Sequence, residues 1–229
     1  MTDYRAFRLN KLNTDEFRHL KLLLYWPVFG LLFMFVERFY SVDSYYPMHC
    51  SLDDLIPFCE FFVIPYLFWF VFLVGMHLYT LLFDIDGFKK MMKFIIITYS
   101  VTILVYFVFP TCQNLRPPEF ARDNIFTRFL EGFYQFDTNT NVCPSIHVIG
   151  TMAVVFAGFH SKHLKALPWK LFFSITGLLI CMSTVMLKQH SILDVFAAIP
   201  VCALGYILSY RIKPRDSKTS SSPKSPDLI

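Results

Sequence analysis

Three short stretches hold side chains whose types and spacing can do chemistry: Arg116-Pro117, Pro144-Ser145-Ile146-His147 and His190-Ser191-Ile192-Leu193-Asp194. A histidine and an aspartate four apart on a helix share one face, so Asp194 can accept a hydrogen bond from one imidazole nitrogen of His190. That fixes the tautomer and leaves the other nitrogen a lone pair for an electrophile, the arrangement covalent catalysis needs. His147 would perform the opposite task, giving a proton to a departing alkoxide, and two histidines with opposed tasks must titrate differently. Pro144 suits the first turn of a helix. Ser145 then stands beside unpaired N–H groups at a helix N-terminus, where anions bind, and its hydroxyl adds a donor. Arg116 offers a guanidinium fork for phosphate oxygens and for transition-state charge. The chemistry these residues predict is phosphoryl transfer.

Each cluster also has a plainer use. A Pro-Ser-x-His run can simply start a helix, a His-x-x-x-Asp pair can satisfy only itself, and an arginine near a bilayer can snorkel to headgroups. What joins the three is the placement of the elements that carry them.

Those elements are membrane helices. Of the 229 residues, 55% are hydrophobic and 17% charged, with 27 Phe, and a water-soluble domain would have nowhere to put that surface. A hydrocarbon core of about 30 Å takes roughly 20 apolar residues per helix. The apolar runs predict an all-α bundle of six spans at about 20–38, 58–83, 91–110, 144–161, 168–187 and 190–210. Pro27 and Pro65 fall inside runs, where a membrane helix can absorb a kink. Basic residues near the start followed by the apolar stretch Leu22 to Val36 superficially match a secretory signal, but no small-residue cleavage site follows, so the stretch reads as a retained first span.

With six spans both termini share one side, and that side receives 16 of the 21 Lys and Arg residues. The other receives only Arg38, Arg116, Arg122, Arg128 and Lys188. The positive-inside rule therefore puts both termini in the cytoplasm and all three clusters at the opposite, extracytoplasmic face, with a plasma membrane the expected location. Between spans three and four, the outer segment Thr111 to Asn141 carries Arg116, an aromatic stretch from Phe126 to Phe136 that reads as an interfacial helix, and the polar run Asp137 to Asn141. One domain is expected over 1–213, followed by a disordered cytoplasmic tail over 214–229 rich in Ser, Pro and Lys. The net charge of +4 is explained by topology, so nucleic acid is not an expected partner. Six cysteines without a C-x-x-C pair encode neither a zinc ribbon nor a dithiol motif. Cys112 and Cys143, bracketing the outer loop, are the pair placed for a disulfide. His49, His77, His160 and His163 lack matched acids and read as structural or interfacial.

The motifs resemble those of the type 2 phosphatidic acid phosphatase superfamily of membrane phosphatases and lipid phosphotransferases. Its second motif, Pro-Ser-x-His, is matched in full by Pro144 to His147. Its third, Ser-Arg, five residues, His, three residues, Asp, is met by Ser183, His190 and Asp194, with Thr184 at the Arg position. Its first, Lys, six residues, Arg-Pro, is met by Arg116-Pro117, with Phe109 at the Lys position. The likeness covers about 95–212, and the runs Asn141 to His147 and Lys188 to Asp194 look like the branch containing inositol phosphorylceramide synthases. It implies a phosphohistidine on His190, Asp194 as its orienter, His147 as general acid, Arg116 and Ser145 as phosphate ligands, and no metal or other cofactor. Lys188 is the candidate to replace a missing cation. With two cations lost, a singly charged phosphodiester suits the site better than a dianionic monoester. The partners implied are a lipid phosphate or phosphodiester and the surrounding membrane lipids. Two competing readings are a relative that binds or transports lipid without turnover, and a haem protein ligated by His147 and His190.

Overall fold

The computed structural model describes residues 4–40 and 42–212. Helix α1 spans Tyr25–Arg38 and follows a 3-10 helix, Arg18–Leu24. The short α2 (Ser51–Leu55) and a 3-10 turn at Glu60–Phe62 lead into α3, Val63–Phe83. Then come α4 (Ile85–Val108), α5 (Ile125–Phe136), α6 (Ile146–His160), α7 (Leu167–Met186) and α8 (Ile192–Tyr206), which runs on as a π-helical turn to Arg211. Five helical stretches are long and apolar enough to cross a bilayer: Arg18–Arg38, Glu60–Phe83, Ile85–Val108, Leu167–Met186 and Ile192–Arg211. The chain is a helical membrane protein.

The expected sixth span is shorter than the others. At 1.5 Å per residue, the 15 residues of α6 reach about 22 Å, against a hydrocarbon core of about 30 Å. The apolar run from 144 to 161 overstates it because Ser145 is the N-cap, and Pro144 precedes the cap rather than standing in the first turn. Helix α6 is also the most enclosed element. Ile149, Ala153 and Val154 are fully buried, and a side chain at Gly150 would stand 2.6 Å from the Tyr99 hydroxyl and 2.8 Å from Trp69, so glycine lets three helices meet there.

Other boundaries moved for local reasons. Helix α4 begins at Ile85 rather than 91 because the Asp84 carboxylate accepts from Gly87 N at 3.0 Å, an N-cap that draws Asp86, Lys89 and Lys90 into the first turns. The interfacial helix expected between spans three and four is α5, whose Thr127 and Leu130 are buried while Ile125 and Phe136 are exposed. The sequence reading had no counterpart for α2, nor for two strands, β1 (Tyr46–Pro47) and β2 (Thr111–Cys112), which pair in parallel and tie the two outer segments together. All six cysteines are free, so Cys112 and Cys143 are not bridged. His49 does have an acid, with Nε2 at 2.8 Å from Asp54 Oδ1. The tail over 214–229 lies outside the described residues.

One end of the bundle collects the N-termini of α3, α6 and α8 and the C-termini of α1, α4 and α7. Tyr66 and Trp69 of α3 pack tilted against His147 of α6, Tyr106 of α4 donates to Pro144 O at 2.8 Å, and Glu37 of α1 bonds Asn141. The outer segments cover this end, and the three sequence clusters meet there.

Candidate active site

His190 is the residue just before the N-cap of α8, not a residue of the helix itself, yet the four-residue spacing still brings it to Asp194. Ser191 caps the helix in a reciprocal box, and the Asp194 carboxylate reaches back to Ser191 N at 3.0 Å. The same oxygen, Oδ2, lies 3.1 Å from His190 Nδ1. An ionised carboxylate only accepts, so Nδ1 carries the proton and Nε2 holds the lone pair. Asp194 is fully buried, with Oδ1 unpaired among the described residues. The carboxylate is thus fixed by the helix end that it caps, and it fixes the imidazole in turn.

His147 stands in the first turn of α6, its ring between Tyr66 and Trp69 at centroid distances of 4.5 and 4.6 Å. It meets His190 edge to face at 5.7 Å. Both histidines line one cavity of about 230 Å³. Phe29, Phe33, Trp69 and Phe70 give it an aromatic side between α1 and α3, and Phe70 is 51% exposed on the outer surface of the bundle. Glu37, Asp137, Thr138, Thr140, Asn141 and Gln189 give it a polar side.

The remaining sequence-predicted residues surround the cavity without lining it. Ser145 is fully buried and caps α6 by accepting from Val148 N at 3.4 Å. Arg116 donates to the carbonyls of Tyr134, Asp137 and Thr138 at 3.0, 2.9 and 3.0 Å and to Gln189 Oε1 at 2.5 Å. Its guanidinium also lies 4.5 Å over the Tyr134 ring. Burial lowers its pKa, with Asp137 and Tyr134 pulling the other way. Lys188, in the left-handed region at φ 54, donates to the carbonyls of Asp53 and Ile56 at 2.7 and 2.6 Å. Both cations thus hold the outer segments in place, and neither fork nor ammonium faces the cavity.

Sequence reasoning missed five groups that the fold recruits. Glu37, at the end of α1, accepts from the hydroxyls of Thr138 and Thr140 and from Asn141 Nδ2. Asp137 accepts from the Tyr66 hydroxyl at 3.4 Å, and burial pushes its carboxyl up against the pull of Arg116. Asn141 and Gln189 are polar floor residues beside the histidines. Asp53 of α2 accepts from Ser191 Oγ at 2.6 Å and Ile192 N at 2.8 Å, so an outer segment caps the turn that presents His190. The only advance signal for any of these was the polar run Asp137 to Asn141, since single Glu, Asp and Gln residues carry no pattern.

Among the described residues no group of three or more His, Cys, Asp or Glu side chains is arranged to hold a metal ion. No protein-family model, curated protein or solved structure matches the chain.

Proposed function

We propose that this chain is an integral-membrane lipid phosphodiester hydrolase or phosphotransferase that works through a phosphohistidine on His190. The observation that carries the reading is the pairing of His190 Nδ1 with Asp194 at 3.1 Å, with the second histidine 5.7 Å away in the same cavity. In the first step Nε2 of His190 attacks phosphorus, a P–N bond forms, and the P–O bond to the leaving alkoxide breaks. His147 gives that alkoxide its proton, and Asp194 balances the positive charge that develops on His190. In the second step His147, now neutral, takes a proton from water or an alcohol, whose oxygen attacks phosphorus and restores His190. Water makes the protein a hydrolase, and an alcohol makes it a transferase. Neither step needs a metal ion.

The cavity's two sides support a lipid substrate. An ester at the junction of an acyl chain and a headgroup can set its apolar part between α1 and α3 and its phosphate beside the histidines. A phosphodiester is favoured over a monoester because Arg116 and Lys188 are bound to carbonyls while Glu37 and Asp137 line the space, so a second negative charge would go unmatched. The resemblance to the type 2 phosphatidic acid phosphatase superfamily supports the same chemistry. We place six crossings in the membrane, α6 included, with both termini cytoplasmic and the site extracytoplasmic, on the charge distribution.

The engagement of both cations also favours a second reading, a relative that binds lipid without turnover. One experiment separates the two. Purified protein is incubated, in excess chelator, with phosphate-labelled phosphatidic acid, phosphatidylglycerol, phosphatidylinositol and an isoprenyl pyrophosphate, beside His190→Ala. Release or transfer of label that survives chelator, passes through an acid-labile protein-bound phosphate and disappears in the variant supports the enzyme. Lipid binding with no turnover by either protein supports the second reading.

A further inference from the structure

Two amide side chains on the cavity floor are oriented by charged partners, and the orientation tells what each offers a ligand. Gln189 is 3% exposed and Asn141 is 4% exposed. A guanidinium can only donate, so the Gln189 atom that meets Arg116 at 2.5 Å is the carbonyl oxygen. Its Nε2 is therefore the remaining group, a buried donor with no partner among the described residues. The same logic runs in the opposite sense at Asn141. The atom 2.8 Å from the Glu37 carboxylate must be the amide nitrogen, which leaves Oδ1 as a buried acceptor with no partner among the described residues. Both residues line the cavity that holds His147 and His190.

Neither orientation can relax by a flip. Turning Gln189 would put an NH2 against Arg116, and turning Asn141 would put a carbonyl against Glu37. A buried polar group left without a partner is unfavourable, so these two atoms define what a well-matched ligand must present: an acceptor to Gln189 and a donor to Asn141. The acceptor is supplied by a phosphoryl oxygen, because Gln189 immediately precedes His190 in the chain. The donor has to come from the group esterified to that phosphate.

Resting on the phosphodiester reading above, we infer that Gln189 binds a phosphoryl oxygen and that Asn141, held by Glu37, selects a headgroup that carries an O–H or N–H donor. A polyol or a primary ammonium satisfies that requirement, and a quaternary ammonium does not. Arg116 and Glu37 act as positioning residues, one polarising and fixing each amide. The phosphate thus meets a neutral donor backed by a cation, rather than the cation itself.

The test compares phosphatidylethanolamine, phosphatidylglycerol and phosphatidylcholine of identical acyl chains in one detergent. Turnover is measured with wild type, and binding with His190→Ala, through the fluorescence of Trp69 and the other tryptophans. Choline lipid should be weaker than both others by about tenfold or more, the usual consequence of one buried acceptor left unpaired. The ethanolamine and glycerol arms distinguish an ammonium from a hydroxyl donor. Asn141 sits at φ 51, so Asn141→Gly keeps the backbone relaxed and should abolish the headgroup preference. Gln189→Glu keeps the bond to Arg116 but replaces the donor by an anion, and should raise KM for every headgroup; Gln189→Met provides the neutral comparison. Turnover of all three lipids at similar rates, unaffected by Asn141→Gly, overturns the inference and leaves the proposed activity standing. Headgroup-selective binding that Asn141→Gly removes, with no turnover of any lipid, leaves the inference standing and overturns the activity. Absence of both binding and turnover overturns the two together.

Discussion

Asp53 is where the segment before α3 most directly holds the turn that presents His190, and its removal has a calculable result. The carboxylate is 2% exposed and accepts from Cys50 N at 2.9 Å, Ser191 Oγ at 2.6 Å and Ile192 N at 2.8 Å. Burial alone would raise its pKa, but the hydrogen bonds from Ser191, Ile192 and Cys50 outweigh it and hold the carboxyl below the ordinary carboxylate value. Asp53→Ala strips two donors from the start of α8, each about 1–3 kcal/mol when left buried and unpaired. The loss of an anion from a helix N-terminus adds about 0.3–1 kcal/mol. Because both donors belong to one helix end and relax together, the total should be about 2–4 kcal/mol. For a chain of this size that corresponds to a fall in Tm of roughly 5–15 °C, read by thermal unfolding in detergent. Asp53→Asn keeps one acceptor and the shape, and should lose about half as much. His190 is adjacent to Ser191, so kcat should also fall well below the melting range, with KM less affected. The sign with pH is set by the lowered carboxyl: its stabilisation is complete above the unfolded value of about 3.9 and is lost as pH falls through the lower folded value. The Tm gap between wild type and Asp53→Ala should therefore be constant near neutrality and close only in strong acid. A variant that melts within about 2 °C of wild type and turns over normally would refute the clamp.

Three further outcomes follow from the same geometry. Asp194→Ala removes the acceptor that fixes the His190 tautomer, and should reduce kcat by at least about a hundredfold, with normal lipid binding by fluorescence as the control. His147→Gln should block turnover of a lipid with an alkoxide leaving group, yet still form the phosphoenzyme from an ester with a nitrophenolate leaving group, which needs no proton; trapping labelled protein in acid measures this. Arg116→Lys cannot span the four acceptors that the fork now holds, and should lower stability by about 2–5 kcal/mol; it should weaken the cavity's hold on inorganic phosphate in the wild-type background but not beside Gln189→Met, since Arg116 reaches the cavity only through Gln189.

The pairing of His190 with Asp194 was legible because it depends on a short spacing. Four residues bring His190 to Asp194 even though His190 stands outside the helix, since the capping box folds the turn back on itself. The common end was legible because lysine and arginine record the side of each loop. The positions of Arg116 and Lys188 were not, because a cation beside a predicted anion site is indistinguishable in sequence from a cation that gathers loop carbonyls. Five carbonyl oxygens decide the matter, and they come from backbone remote in the chain, Asp53 and Ile56 for one and Tyr134, Asp137 and Thr138 for the other. Glu37 and Asn141 are 104 residues apart, and Asp53 and Ser191 138 apart. No local pattern encodes such pairs. The start of α6 was not legible for a related reason: a run of apolar residues does not reveal that Pro144 and Ser145 belong to the cap and its approach.

Helix α6 sets His147, in its first turn, against Tyr66 in the first turn of α3, with Tyr106 near the end of α4 bonded to Pro144 just before the cap. Under the proposed function a charged phosphate binds beside His147, in a cavity closed off from bulk water. Here it meets a floor of fixed amides, with Arg116 behind one and Glu37 behind the other, under a roof of outer segments pinned by Asp53, Lys188 and Arg116. Dipoles that are already oriented need no reorganisation when charge develops, and they act more strongly where water is scarce. On the proposed reading, the aromatic side at Phe70 takes the acyl part while the ester reaches the histidines, so the lipid reacts without being drawn out of the membrane.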